Sequence, residues 1–279
     1  MSKSTEISFE FFPPRDGEGR ERLVANVASR LAELNPAYFS VTYGAGGSTR
    51  DGTAQTVAAL LAAGQQAVPH LSMGNDEEAS IHELLTSYRD MGVQKLVALR
   101  GDQPSGMGGD RFSNNAQALI ECIRRHSGDH FDLIVAAYPE AHPDSAGAAA
   151  DLDFFKRKVD AGASKAITQY FYNVDAYADF MERSLAAGIT LPIVPGIMPI
   201  TNLQSLVRFS DGCGAEIPRW LYKRLVDLED DEAATRELGI EFLSTFCERL
   251  LALGAPGLHF YTLNRWGATV RICENLALA

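Results

Sequence analysis

The chain alternates short runs of apolar, β-branched or aromatic residues with longer amphipathic runs along its whole length. This alternation is typical of βαβ units and a parallel sheet. The predicted strands are Ile7–Phe12, Tyr38–Tyr43, Ala67–Met73, Lys95–Arg100, Leu133–Tyr138, Ala166–Phe171, Ile193–Ile197 and Leu258–Leu263. Glycines that should end the intervening helices are Gly64, Gly92, Gly162, Gly188 and Gly254. Eight strand–helix units predict an α/β fold, a closed (β/α)8 TIM barrel.

The spacing between strands predicts one domain that carries an insertion. Most strand-to-strand steps are roughly 30 residues, but the step from the seventh strand to the eighth is about twice that. The longer step contains further helical patterns at Ile217–Leu225 and Asp231–Leu253. Because no Pro/Gly/Ser-rich linker divides the chain, residues 1–279 are expected to form a single barrel domain with extra helices between strands 7 and 8.

Composition narrows the class of protein. A hydrophobic content of 46% allows a sizeable core, and a net charge of −11 argues against nucleic acid or a membrane surface as the partner. The four cysteines lie far apart without metal-ligand spacing, which predicts free thiols in a reducing cytosol. Residues 1–6 lack a hydrophobic signal core, and charges interrupt the apolar stretches, so a soluble cytoplasmic protein is expected.

The first strand carries a carboxylate in an apolar setting. Its sequence is Ile7-Ser-Phe-Glu-Phe-Phe-Pro-Pro-Arg15, with Glu10 at the centre. Burial without a partner favours the neutral form of a carboxyl group, whereas a nearby cation favours the charged form. Glu10 is therefore a candidate proton donor, and Arg15 is the alternative partner that would make it a structural ion pair.

Polar residues recur near the carboxyl ends of seven of the eight predicted strands. In a (β/α)8 barrel these ends converge over a rigid core, and reactive residues cluster there. Each residue alone could be a satisfied structural group, but the set predicts a site at this end of the barrel. The candidates are Glu10, Thr42, Tyr43, His70, Arg100, Asp102, Tyr138, His142, Gln169, Asn264 and Arg265.

Two chemistries common on such barrels fit this set poorly. Metal-assisted hydrolysis needs several ligands that converge on one ion, and His70, His142 and His259 are interpreted as dispersed, so no metal site is expected. Schiff-base chemistry needs a desolvated lysine, but Lys95 and Lys165 begin their strands and should point to the opposite end of the barrel.

Anion binding remains open at two places. The turn Gly44-Ala-Gly-Gly-Ser-Thr49 follows a strand and opens a helix, so it is either an anion cradle or a tight connection. It is not a dinucleotide fingerprint, because no acid ends the next strand. The run Lys156-Arg157-Lys158 is the better anion candidate, with a solvated helix face as the alternative.

Several motifs occur together and in order. They are Phe9-Glu-Phe-Phe-Pro-Pro-Arg15, Ser40-Val-Thr-Tyr-Gly-Ala-Gly-Gly47, Pro69-His-Leu71, Leu99-Arg-Gly-Asp102, Ala137-Tyr-Pro-Glu140, Ala166-Ile-Thr-Gln-Tyr-Phe171, Pro195-Gly-Ile197 and His259-Phe-Tyr-Thr-Leu-Asn-Arg265. Together they resemble methylenetetrahydrofolate reductase of the bacterial type. This resemblance implies a flavin-containing (β/α)8 barrel that reduces 5,10-methylenetetrahydrofolate to 5-methyltetrahydrofolate with a nicotinamide cofactor, in one-carbon metabolism and methionine synthesis.

The resemblance also implies catalytic and substrate residues. Glu10 matches the general acid that protonates the folate nitrogen as the ring opens to an iminium, and Asp102 matches an acid beside the flavin and folate. Gln169 matches a contact of folate and nicotinamide in turn, and Phe209 an aromatic over the stacked ligand. Arg265 matches a folate contact whose fork suits a carboxylate of the glutamate tail.

The family's flavin contacts form a larger set, in which the pair at 157 and 158 matches a pyrophosphate site. The implied noncovalent FAD contacts are Thr42, Tyr43, His70, Arg100, Gly101, Asp102, Phe112, Ser113, Tyr138, His142, Asp151, Arg157 and Lys158. Phe154 and Ser205 depart from the family pattern, at peripheral contacts. One flavin face serves both substrates, which implies a ping-pong cycle with NADH or NADPH as reductant. A homo-oligomer that binds small molecules is implied as well.

Two alternatives stay open. The first is another flavin barrel that oxidises a small amine such as proline, which a folate-reduction assay distinguishes. The second is a non-catalytic folate-binding or methyl-transfer barrel, which would purify without flavin.

Overall fold

The eight strands close into a parallel barrel in chain order, with β1 paired to both β2 and β8. The computed structural model describes residues 5–43, 50–73, 78–100 and 116–278. The strands are β1 (Glu6–Phe11), β2 (Tyr38–Val41), β3 (Ala67–Ser72), β4 (Lys95–Leu99), β5 (Asp132–Ala137), β6 (Lys165–Tyr170), β7 (Ile193–Ile197) and β8 (Gly257–Tyr261). The predicted (β/α)8 barrel and all eight strands are thereby confirmed.

Helices alternate with the strands around the outside of the barrel. They are α1 (Gly17–Arg22), which continues through a π-helical segment (Leu23–Ala28) into α2 (Ser29–Ala32), then α3 (Arg50–Ala62), α4 (Glu78–Asp90), α5 (Ala116–Ser127), α6 (Ala148–Asp160), α7 (Val174–Ala186), α8 (Leu203–Cys213), α9 (Arg219–Val226), α10 (Glu232–Ala252) and α11 (Gly267–Asn275). Three helices separate β7 from β8, so the predicted insertion is confirmed. None of the described helices is both long enough and apolar enough to cross a membrane.

The predicted ends of the elements differ from the observed ones by one or two residues. Strands 2 and 8 were expected to reach Tyr43 and Leu263 but end at Val41 and Tyr261. After β8 the backbone turns left-handed, with φ of 52° at Leu263 and 57° at Asn264, which a strand cannot contain. The five predicted helix-ending glycines all have positive φ, between 75° and 119°, and confirm the helix ends.

The barrel interior is apolar near the amino-terminal ends of the strands. Tyr38, Val68, Val97, Ile134 and Ile167 are buried and form one cluster, each from a different strand. Because side chains alternate between the two faces of a strand, the residues two positions further along each strand also point into the barrel, closer to its carboxyl end. Those inward positions include residues 8 and 10 in β1, 70 in β3 and 259 in β8, with residues 8 and 10 opposite 259 and 261 in the β1/β8 register.

The amino-terminal end of the barrel is closed by an ion pair. Lys165 Nζ lies 2.5 Å from a carboxylate oxygen of Glu6. Lys165 and Lys95 also stand over the Tyr38 ring, 6.0 Å and 5.8 Å from its centroid. Both lysines therefore lie at the amino-terminal end of the barrel, opposite the carboxyl ends of the strands, as predicted.

Strand β1 is held in place by aromatic packing on its outer face. Phe9 is fully buried, and its ring centroid lies 5.8 Å from that of Phe39 in β2 and 5.9 Å from that of Phe260 in β8. Outward burial of Phe9 turns the next residue, Glu10, into the barrel.

Candidate active site

Glu10 lies inside the barrel between two histidines. Its side chain is 13% exposed, and its Oε2 atom is 3.3 Å from His70 Nε2 and 3.4 Å from His259 Nε2. Arg15, the alternative partner in the sequence, is exposed and has no ion pair with Glu10 among the described residues. The carboxyl group therefore faces imidazoles and not a permanent cation.

A hydrogen-bonded chain runs from Glu10 back into the barrel. His259 is fully buried, and its Nδ1 atom lies 2.8 Å from Ser8 Oγ. When the Ser8 hydroxyl donates to Nδ1, the proton of the neutral ring sits on Nε2, which faces Glu10. The chain Ser8–His259–Glu10 can thus hold a proton beside the carboxylate without placing a net positive charge in the core.

His70 completes the surroundings of Glu10. Burial lowers the pKa of His70, and His259 lowers it further, while the negative charge of Glu10 opposes both effects. His70 is therefore neutral at physiological pH. Its Nε2 atom is buried and, although close to Glu10, makes no hydrogen bond of good geometry with any described residue. This orphaned ring nitrogen is available to a bound molecule.

A second polar cluster lies beyond the carboxyl ends of β4 and β5. Arg100 pairs with Asp144 at 2.6 Å, and the backbone N–H of Asp144 donates to His142 Nδ1 at 3.0 Å. The His142 ring meets the Tyr138 ring edge-on at 4.7 Å. Burial lowers the pKa of His142, and the positive charge of Arg100 lowers it further. The cluster combines an aromatic edge, a neutral imidazole and a cation.

Lys158 belongs to this second cluster. Its ammonium group donates to the backbone carbonyl of Ala136 near the end of β5. Burial lowers the pKa of Lys158 to about 8, although the nearby Asp151 carboxylate works in the opposite direction. Burial likewise raises the pKa of Asp151, and the positive charge of Lys158 opposes that rise. The pair is a partly dehydrated cation and anion at the edge of the barrel mouth.

Comparison with known proteins identifies the family. A sequence model of methylenetetrahydrofolate reductase matches residues 1–277. The chain is 37% identical over 274 residues to 5,10-methylenetetrahydrofolate reductase of Escherichia coli (strain K12), covering 98% of this chain and 90% of that protein. The chain belongs to the methylenetetrahydrofolate reductase family. The predicted resemblance is confirmed.

Other relatives agree with this assignment. Methylenetetrahydrofolate reductase (NADH) 1 of Arabidopsis thaliana is 38% identical over 290 residues, which cover 98% of this chain and 48% of the plant protein. Among solved structures, an uncharacterized protein from Clostridium thermocellum that binds two copies of 5-methyl-5,6,7,8-tetrahydrofolic acid has a TM-score of 0.67 at 19% identity, covering 99% of this chain and 93% of that one. That structural likeness supports the fold.

The basic pair matched to the family's pyrophosphate site is divided between two faces of α6. Arg157 is 45% exposed, pairs with Asp153 at 2.6 Å, and stands over the Phe154 ring at 4.4 Å. Lys158 turns inward instead, as described above. Adjacent residues on a helix differ in direction by about 100°, so the two cations do not converge.

Gln169 occupies an irregular part of β6. The β6/β7 register shifts between Ile167 and Tyr170, opposite Gly196, so the strand bulges at this point. Gln169 Oε1 accepts a hydrogen bond from the backbone N–H of Tyr170 at 3.0 Å. Bulges often re-aim a side chain beside a functional site, and Gln169 lies within this one. Phe209 is half-buried in α8 with the Arg208 guanidinium 5.3 Å from its ring centroid.

Arg265 lines a cavity at the barrel mouth. The cavity is bounded by segments that follow β7 and β8 and by Arg236 of α10. Two guanidinium groups on one cavity suit a ligand with carboxylates. The neighbouring Asn264 has a structural role, because its amide group exchanges two hydrogen bonds of 2.9 Å with the backbone of Phe12.

Thr42 and Tyr43 are half-buried just beyond β2, where the Thr42 carbonyl accepts a hydrogen bond from Thr53 Oγ1. The predicted contacts Gly101, Asp102, Phe112 and Ser113 lie outside the described residues, as does the glycine-rich turn at 44–49.

The sequence did not identify Ser8 and His259 as members of the Glu10 cluster. His259 was interpreted as dispersed from the other histidines, which is wrong, since His70 and His259 both approach Glu10. Of these three histidines, His142 stands apart, in the second cluster. Closing the barrel pairs β1 with β8 and brings Ser8 beside His259. The alternation of inward positions in the first and last strands is the signal that finds them.

Proposed function

We propose that this protein reduces 5,10-methylenetetrahydrofolate to 5-methyltetrahydrofolate, with noncovalently bound FAD and electrons from NADH or NADPH. Family membership supports the substrate class. The observation that carries the proposal is the Glu10 carboxyl group, held in the barrel interior against two imidazoles. A carboxyl group in that setting suits a general acid.

The described residues fit FAD. His70 offers a buried Nε2 atom without a hydrogen bond, at the level of Glu10. The second cluster offers a partly buried lysine, an arginine and an edge-on aromatic pair, which suit a ligand that is planar at one end and anionic at the other. Bound FAD would supply the hydride acceptor and donor that protein side chains lack.

The residues of this chain would then supply the one proton that the folate takes up. Ring opening of the folate transfers a proton to its nitrogen, and Glu10 would donate it. Glu10 would regain its proton from solvent through the barrel mouth, while the His259 Nε2–H group, 3.4 Å from Glu10 Oε2, would stabilise the intervening carboxylate. Gln169 and the two arginines of the mouth cavity would orient the folate, and both substrates would use the same opening in turn, in a ping-pong cycle.

The proposal predicts two separable half-reactions. Anaerobic protein loaded with FAD should be bleached by NADH or NADPH, added separately, and then reoxidised by methylenetetrahydrofolate in the absence of oxygen. Flavin absorbance in a stopped-flow instrument follows each step. Bleaching by proline with no response to folate would favour an amine oxidase, and failure to take up FAD would favour a non-catalytic folate-binding barrel.

We expect Lys158 and Arg157 to contribute unequally to FAD retention. Lys158→Met removes a partly dehydrated cation that lies near the carboxyl end of β5, whereas Arg157→Met removes an exposed one already paired with Asp153. Charge-assisted hydrogen bonds are worth about 1.5–3 kcal/mol, so Lys158→Met should weaken FAD binding by ~10–100-fold. Flavin fluorescence during titration of the apoprotein measures both affinities. Equal losses in the two variants would contradict the division of the pair.

The same lysine predicts a pH dependence of FAD binding. Its pKa is about 8 in the free protein, and an anion bound beside it would raise that value. Below pH 8 the lysine is charged in both the free and the FAD-bound protein. Above pH 8 the lysine of the free protein is neutral, so FAD binding must be accompanied by uptake of a proton. FAD affinity should therefore fall as pH rises above 8, and this fall should be smaller in Lys158→Met.

We also infer a cytoplasmic homo-oligomer formed by a single catalytic domain. The family supports this assembly, and light scattering of the FAD-loaded protein would test the subunit number.

A further inference from the structure

A cluster of possible metal ligands lies on the outer wall of the barrel, away from the mouth. Glu78 and His82 are four residues apart on α4, and therefore share one face of that helix. Cys122 faces them from the adjacent helix α5. One ligand atom of each residue lies within 4.8 Å of the ligand atoms of the other two.

The distances match those of a tetrahedral site. His82 Nε2 is 3.6 Å from Cys122 Sγ and 3.7 Å from Glu78 Oε1. In tetrahedral zinc sites, bond lengths of about 2.0 Å to N or O and about 2.3 Å to S separate neighbouring ligand atoms by ~3.3–3.6 Å. The two His82 distances are within a few tenths of an ångström of these values, and the Glu78 and Cys122 ligand atoms lie within 4.8 Å of each other.

Neighbouring groups orient the ligands. The His82 ring stacks on His126 of α5, with centroids 4.1 Å apart and planes inclined by 13°. Arg125 binds Glu78 Oε1 at 2.7 Å, and this contact keeps the pKa of Glu78 below its usual range. A carboxylate has two oxygens and several lone pairs, so it can bind the guanidinium and a metal together.

The geometry points to a binding site for a borderline-soft divalent cation, Zn²⁺ or Co²⁺, formed by Glu78, His82 and Cys122. Sulfur and imidazole donors select such ions over Mg²⁺ or Ca²⁺. Three protein ligands leave the fourth tetrahedral position to water or an added ligand.

Binding would exchange a proton for the metal. Burial, together with the nearby Glu78, raises the pKa of the Cys122 thiol to about 11, so the thiol is protonated in the metal-free protein. As the metal–sulfur bond forms, the S–H bond breaks and the proton passes to solvent. The ion would tie α4 to α5, the two helices that flank β4 in the chain.

The test is titration of the chelator-treated protein with Co²⁺ and then Zn²⁺. We expect one Co²⁺ per chain, with a thiolate-to-cobalt charge-transfer band and tetrahedral d–d bands that Zn²⁺ abolishes. Loss of outer-shell partners alone commonly lowers metal affinity 10–100-fold, so His82→Ala should lower it by more than ~100-fold. Zn²⁺ should raise the Tm of the wild type but not that of His82→Ala, since it binds the native state.

Matched variants keep the result interpretable. Cys122→Ser should lose the charge-transfer band, while Cys247→Ser, at a buried cysteine of α10, and His130→Ala should retain it. If Cys122→Ser fails to fold, the half-exposed His82 still decides the question. A wild type without a charge-transfer band, or a band that persists in His82→Ala, would overturn the proposal.

Discussion

Glu10→Gln should slow the second half-reaction severely and leave the first intact. Glutamine has nearly the same shape as glutamate but cannot release a carboxylic proton, so the folate nitrogen loses its acid. General-acid catalysis contributes ~10²–10⁴-fold, and we expect reoxidation of reduced flavin by methylenetetrahydrofolate to slow by that factor. Reduction of the flavin by NADH or NADPH needs no such acid and should remain near the wild-type rate. Stopped-flow absorbance separates the two rates.

The chain offers a matched control on the same strand. Glu6 also points into the barrel from β1, but it pairs with Lys165 at the opposite end. Glu6→Gln should therefore leave both half-reactions close to the wild type, apart from any loss of stability. Near-normal folate reduction by Glu10→Gln would remove this residue from the mechanism, and bound water would have to supply the proton.

The architecture was predictable because its signals are local and repeat along the chain. Apolar strand runs recur, and glycines with positive φ end the helices, as at Gly64 and Gly254. Strand ends were less predictable, since they depend on where neighbouring strands stop pairing. At Leu263 the backbone turns left-handed although the side chain still fits an apolar pattern.

The candidate site was only partly predictable, because its contacts depend on closure of the barrel. Glu10 stands out in its own strand, but His259 is 249 residues away and meets it only through the β1/β8 pairing. The direction of Lys158, inward and apart from Arg157, follows from the rotation of α6. Arg157 and Lys158 are therefore adjacent in the sequence, but their charged groups lie on different faces of α6.

The cluster of Glu78, His82 and Cys122 could not be predicted from sequence spacing either, because its contacts form only when separate elements pack together. His82 and Cys122 are 40 residues apart and meet because α4 and α5 pack side by side. Cysteine spacing predicts metal sites only when the ligands share a short loop or one helix face. Glu78 and His82 share one face of α4, but Cys122 lies on α5, so the full set does not satisfy either condition.

The bulge in β6 links the barrel wall to the site through Gly196. The backbone N–H of Gly196 donates to Thr168 Oγ1 at 2.9 Å, and Tyr261 OH donates to the Thr168 carbonyl at 2.7 Å. A Cβ atom added to Gly196 would lie 2.2 Å from that carbonyl oxygen and 2.5 Å from the Tyr261 ring. The obstacle is backbone and a partly buried ring that is hydrogen-bonded to it, and neither can move without disturbing the bulge that contains Gln169.

Gly196→Ala should therefore damage stability and folate reduction together. Overpacking a core typically costs 1–3 kcal/mol, and since strand backbone must shift here we expect a loss of about 3 kcal/mol in the free energy of unfolding. Urea unfolding of the FAD-free protein measures this as a lower midpoint at unchanged slope. Folate-dependent reoxidation of flavin should also slow, because the displaced bulge misdirects Gln169.

Gly267→Ala is the matched control for this substitution. Gly267 begins α11, and a Cβ atom there would meet no atom within 4 Å. Alanine favours a helix over glycine by about 0.5–1 kcal/mol, so this variant should be as stable as the wild type or slightly more stable. If Gly196→Ala and Gly267→Ala had equal unfolding midpoints, β6 and β7 would have room to separate, and the bulge would not depend on the missing side chain of Gly196.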